Sequence, residues 1–184
     1  MLSTCLTQVI PIILSKQELA IPIKQRAKFE GWFKLELAAS LQTAGFKVTL
    51  EESYQVSERL HFADIAVAEN HATSFIMLKT VNTNFRFAGV ENRSRPITNN
   101  ITGVIKDIHK LKGLPSNKIG YVLFPIFPVS AHSQVRDHQL KRHLARIQNE
   151  AVDLLFSNFV QRKSEYGIGY FLYRVREVFD PQIS

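Results

Sequence analysis

Two short apolar runs, residues 62–68 and 74–81, lie only a few positions apart and constrain this chain more than any other feature. Each is short and rich in β-branched or aromatic residues, so both are predicted to be strands rather than helices. The polar segment 69–73 between them suits a hairpin-type loop. A further strand is expected at 46–51, followed by a second polar segment at 52–59. Three neighbouring strands need apolar cover, and the rest of the chain is patterned to give it.

A first long helix is expected over 23–44, with Pro22 just ahead of it and Gly45 placed for a left-handed C-cap. Its apolar face is Phe29, Trp32, Phe33, Leu37, Leu41 and Ala44. A second helix has Thr98, Asn99 and Asn100 as N-cap candidates and carries Ile101, Val104, Ile105, Ile108 and Leu111 on one stripe. Gly113, Leu114 and Pro115 end it. A strand over 118–127 follows, bounded by Pro125 and Pro128. Ser133 is expected to cap a third helical region reaching about Val160, with Leu140, Leu144, Ile147, Ala151, Leu154 and Phe159 in register. Residues 168–178 read as a last strand. The predicted fold is α/β, in the order α-β-β-β-α-β-α-β, with a mixed central β-sheet flanked by helices.

At 184 residues, with no internal repeat, low-complexity tract or linker, residues 1–184 read as a single domain. A 45% hydrophobic and 21% charged composition excludes disorder. Cys5 is the single cysteine, so no internal disulfide forms and a cytoplasmic setting is expected. The apolar run from Val9 to Leu14 is broken by Pro11 and is too short to span a membrane; no basic segment precedes it, as a signal peptide would require. A net charge of +7 and a pI near 9.6 favour a polyanionic partner.

Side chains two apart on a strand share a face. Met77 and Lys79 therefore point together, and antiparallel pairing with the preceding run lets Asp64 and Lys79 converge at one end of the sheet. A carboxylate beside a lysine suits divalent-metal binding, with the ammonium stabilising a phosphate or orienting a water. Glu36 falls inside the apolar arc of the first helix, close to Phe29 and between Trp32 and Phe33. An acid there needs a partner. Its partner is either a core-facing lysine or the same metal site.

Glu36 on a helix, Ala63-Asp64 on a strand and Met77-Leu78-Lys79 on the next resemble the motifs of the PD-(D/E)xK nuclease superfamily, over about residues 23–112. Ala63 stands for the motif's proline and Met77 for its second acid. The resemblance implies a restriction-endonuclease-like fold and a Mg²⁺- or Mn²⁺-dependent endonuclease, of restriction type, hydrolysing nucleic-acid phosphodiesters. Catalytic roles would fall to Lys79, Glu36 and Asp64. Metal ligands would be Asp64 and Glu36. A thioether is a poor Mg²⁺ ligand, and some members of the superfamily take the missing acid from the segment after the lysine. Glu91 is the preferred candidate for that role, ahead of Asp107, which lies off the apolar stripe of its helix. The alternative is a catalytically degenerate nuclease-fold protein acting as a DNA-binding or recombination accessory module.

The segment 83–101 gathers Arg86, Arg93 and Arg95 with Asn92, Asn99 and Asn100 ahead of a helix N-terminus. Such forks and amides bind phosphate, and Asn reads adenine edges. Arg86, Arg93, Arg95, Asn99 and Asn100 are therefore the expected contacts to nucleic acid, with double-stranded DNA the expected form. Arg136, Arg142, His143 and Arg146 give a second basic face. His132, His138 and His143 lack the spacing of a helical zinc site. The aromatic last strand, with Tyr166, Tyr170, Phe171 and Tyr173, serves either a homodimer contact or the core, and the core is the simpler reading.

Overall fold

The apolar runs around Asp64 and Lys79 form adjacent strands of one mixed sheet in the computed structural model, which describes residues 1–56, 58–69, 72–92, 96–115, 117–150 and 152–176. The elements are α1 (Leu2–Ser15), a 3₁₀ turn (Gln17–Leu19), α2 (Ala20–Gln25), α3 (Glu30–Thr43), β1 (Lys47–Val56), β2 (Arg59–Glu69), β3 (Ala72–Leu78) and β4 (Val81–Asn82). They continue with α4 (Ile97–Leu111), β5 (Lys118–Ser130), α5 (Ser133–Gln148), β6 (Val152–Gln161) and β7 (Tyr166–Val175). Among the described residues seven strands form the sheet, in the order β1-β2-β3-β5-β7-β6, with β4 also on β5.

β1, β2 and β3 form an antiparallel meander, and β3 then pairs with β5 in parallel. A parallel pair needs a crossover, and α4 supplies it. β5 is buried along almost its whole length because it lies inside the sheet with a helical layer on each face. Side chains on α1, α2 and α3, such as Leu6, Ile10, Ile23, Phe33 and Leu37, pack on Ile65, Val67, Ile76, Leu123 and Leu172. Those on α4 and α5, such as Ile101, Val104, Ile108, Leu140 and Ile147, pack on Phe75, Met77, Val122, Phe124 and Phe171. Tyr166, Tyr170, Phe171 and Tyr173 are all buried, which places the aromatic strand in the core.

The hairpin of β1 and β2 turns over halfway along. Val48, Tyr54 and Val56 would share one face of a regular strand, yet Val48 packs with the first layer and Tyr54 and Val56 with the second. The change falls at Glu51, which has a φ of +52° and interrupts the pairing between Leu50↔Ile65 and Glu52↔Ala63. The outer half of the hairpin thereby presents Tyr54 and His61 toward α4's side, while Leu60 and Phe62 are left exposed on the other.

Three expectations about elements need correction, and one helix has no counterpart in them. Residues 2–15 are a helix despite Pro11. An interior proline costs about 3 kcal/mol, but burying Leu2, Leu6, Ile10, Ile13 and Leu14 contributes roughly 1.5–3 kcal/mol each and decides the outcome. The helix expected over 23–44 is two helices, parted where Arg26 adopts the left-handed conformation with φ +51°. The third helix ends at Gln148, and residues 152–161 form the edge strand β6, whose mostly exposed side chains carry no clear alternation. α4 begins at Ile97 with Pro96 in the cap position and no side-chain cap, so Thr98, Asn99 and Asn100 lie within the helix. Gly45 does close α3 at φ +89°. Among the described residues no helix is long and apolar enough to cross a membrane.

Candidate functional site

The recorded pairing of β2 with β3 ends at Ile65↔Ile76, and the strands then part into a fork. β3 stays on β5 as far as Leu78↔Leu123, and Lys79 N–H donates to Leu123 O. Alternate N–H groups of a strand point to opposite sides. Those of Leu78 and Thr80 therefore face the opening, where β2 no longer meets them. Two carboxylates accept them instead: Asp64 Oδ2 from Leu78 at 2.7 Å, and Glu30 Oε2 from Thr80 at 2.9 Å. The fork converts unpaired backbone donors into mounts for two acids.

Glu30 stands in the first turn of α3, where the helix dipole favours a negative charge. Its second oxygen, Oε1, lies 3.5 Å from Lys79 Nζ. Across the fork, Asp107 of α4 reaches the same ammonium at 3.4 Å with Oδ2 and holds Lys110 Nζ at 2.6 Å with Oδ1. The Lys79 stem runs over Gly103, one turn before Asp107; a Cβ there would lie 3.9 Å from Lys79 Cδ and Cε, in ordinary contact. Lys34, one turn after Glu30, contacts Glu51 and stands 3.9 Å from Asp64 Oδ1.

The electrostatics follow from this crowding. Burial raises the proton affinity of Asp64; the Leu78 N–H opposes that rise and the charge of Glu30 adds to it. Burial alone would lower the Lys79 pKa, but Asp107, then Glu30 and then Asp64, outweigh it and hold Lys79 charged. Lys34 is raised chiefly by its hydrogen bond to Glu51. Asp64 and Lys79 thus belong to one cluster, contributed by α3, β1, β2, β3's end and α4.

Several residues singled out from the sequence lie elsewhere. Glu36 does not reach the fork. Six residues beyond Glu30, it is turned about 120° away around α3, and its carboxylate pairs with Lys16 at the end of α1. Glu30 takes the position expected of it. Glu91 is exposed in the loop beside α2, with its N–H on Lys24 O. Asp107, expected to be solvated, is only 3% exposed. Met77 is buried in the apolar layer under α4.

Arg86 and Asn99 are exposed, whereas Asn100 Nδ2 donates to Asn82 O at 3.1 Å and has a bracing role. Arg93 and Arg95 lie outside the described residues. The loop after β4 is organised by a residue the sequence did not single out. Arg26, fully buried, donates its guanidinium N–H groups to the carbonyls of Thr83, Phe85 and Glu91. Burial lowers its pKa.

Glu30 and Asp64 are hard oxygen donors, and Mg²⁺ is commonly held by one or two carboxylates while retaining several waters. Among the described residues, however, no group of three or more His, Cys, Asp or Glu is placed to hold a metal. Lys79 places its ammonium at the same opening, between Glu30 and Asp107. No family model matches this chain, and neither a curated protein nor a solved structure does.

Proposed function

We propose that the fork is a phosphodiester-hydrolysing site of the PD-(D/E)xK type, built on a restriction-endonuclease-like arrangement of the sheet, and that the protein is a divalent-metal-dependent endonuclease acting on DNA. The observation that carries this reading is the convergence of Glu30, Asp64 and Lys79 on the point where β2 leaves β3. Glu30 and Asp64 would hold Mg²⁺ or Mn²⁺. The ion would supply Lewis-acid polarisation of the phosphate and a more acidic bound water. Lys79 would neutralise the charge developing on the phosphate, and Asp107 would hold Lys79 protonated and fix its stem against Gly103.

Nicking of supercoiled plasmid in Mg²⁺ or Mn²⁺, stopped by EDTA, tests the reading. Lys79→Ala should reduce the rate about a hundredfold or more, and Glu30→Gln should reduce it while Glu36→Gln does not. Equal loss in Glu36→Gln and none in Glu30→Gln would overturn the assignment.

A second reading, a DNA-binding accessory without cleavage, is favoured by one observation: Met77 is 4% exposed among apolar neighbours and offers the ion nothing. On that reading wild type is inert, and Met77→Glu gains Mg²⁺-dependent thermal stabilisation.

A further inference from the structure

Beside the fork, the turned-over half of the β1–β2 hairpin and the outer side of α4 enclose a trough of about 490 Å³ lined by Val56, Arg59, His61, Lys106, His109 and Lys110. No acid is among these six residues. Arg59 and Lys106 are exposed, and among the described residues neither has an ion-pair partner. Lys110 is shared with Asp107, and Glu150 engages His109 at 2.8 Å together with Lys112 at 2.7 Å. The trough thus keeps two unneutralised cations at its walls while its ends are tied to acids.

The geometry points to this trough as a binding track for the sugar–phosphate backbone of a polynucleotide entering or leaving the fork. Three observations carry it. First, the trough and the fork share a wall: Lys110 Nζ and Lys79 Nζ contact the two oxygens of the same Asp107 carboxylate. Second, its lining is backed by aromatic packing. Tyr54 donates its hydroxyl to Lys110 O at 3.3 Å, stacks on Phe75 with ring centroids 4.8 Å apart, and carries the His61 ring at 5.6 Å. Third, its shape is open. A small anion is bound tightly by enclosure of most of its surface, whereas an open channel with cations on both walls suits a chain of phosphates that passes through. Lys106 and Lys110 lie one turn apart on α4, about 6 Å along the helix, and Arg59 faces them from the hairpin. The roll at Glu51 is what brings Arg59 and His61 to this side.

This track deepens the reading of the fork as a nucleic-acid site but is tested without cleavage. A fluorescein-labelled 20-mer, single-stranded and duplex, is titrated with the whole protein in EDTA across a salt series, read by anisotropy. Wild type is expected to bind at low salt. The double variant Arg59→Ala/Lys106→Ala is expected to bind about tenfold more weakly, with the slope of log affinity against log salt reduced by about 1.4 on single strands and 1.8 on duplex, one phosphate for each lost cation. Both altered residues are exposed, so an unchanged melting temperature confirms that the fold is intact.

Unchanged affinity and slope in the double variant overturn the track, as does a wild type that binds neither oligonucleotide. Displacement of the oligonucleotide by millimolar inorganic phosphate at constant ionic strength would identify a free-phosphate site and also overturn it. Salt-sensitive binding lost in Arg59→Ala/Lys106→Ala, in a protein that nicks nothing with Mg²⁺, would leave the track standing and remove the hydrolytic reading of the fork.

Discussion

Charge is taken out of water at two places in this fold, and they are built on opposite logic. Arg26 sits fully buried between α2 and α3, and its guanidinium is spent on three carbonyls of one loop. Each of its three nitrogens donates to a backbone carbonyl, away from any ligand. At the fork, Glu30, Glu51, Asp64 and Asp107 face Lys34, Lys79 and Lys110, so acids outnumber the bases; Lys34 and Lys79 each lie between two carboxylates, and Asp107 lies between two ammoniums. A saturated buried charge is a structural fastener. An acid-rich cluster at an opening is where a cation would meet oxygens that the cluster's own bases do not fully neutralise.

The contrast can be broken from either side. The largest effect belongs to Arg26→Ala, which strands three loop carbonyls. It should cost about 3 kcal/mol or more in urea unfolding, and a loss under about 1 kcal/mol would show that the clamp is dispensable. The pair Lys79→Met and Asp107→Asn comes next. Each alone should destabilise by about 1–3 kcal/mol, and the double variant by less than the sum, since one ammonium and one carboxylate are lost together. Strict additivity would separate Asp107 from the fork.

Asp64→Asn has a smaller, pH-shaped effect. The folded-state pKa of Asp64 lies above its ordinary value, so the stability its neutral form provides is complete below the ordinary carboxylate range and is lost as pH rises through the folded value. In EDTA the variant should therefore gain stability relative to wild type between low and neutral pH. A flat difference across that range would refute the burial of this carboxyl. Smallest of all, Glu36→Gln removes one half-exposed pair with Lys16 and should cost under about 1 kcal/mol. A larger loss would mean that α1 depends on that pair rather than on its five buried apolar side chains.

The sequence resolved what is periodic. β2, β3, α4 and β5 show in their apolar spacing, and Asp64 and Lys79 can be expected to converge once β2 and β3 pair antiparallel. Glu30 was missed because nothing local marks the break before α3: Arg26 turns left-handed without a glycine, proline or asparagine, and Phe29 caps nothing. With the helix drawn through from 23, Glu36 was the acid that seemed to need a partner. Asp107 is not legible as buried because its cover comes from elsewhere: Lys79 reaches it from beyond β3, its stem beside Gly103. β6 reads as helix in the sequence because an edge strand with few buried side chains loses the alternation that would identify it.

β5 holds the chain at Leu78↔Leu123 and again at Val81↔Ile126 in the same register, leaving only Lys79 and Thr80 between the two grips. A backbone anchored this closely on both sides has little room to drift when its side chains change. Position 79 is in that sense a socket: a different head group can be fitted, by mutation or by descent, and will be presented to the same opening between α3 and α4. Loss or exchange of chemistry at this point need not disturb the sheet that carries it.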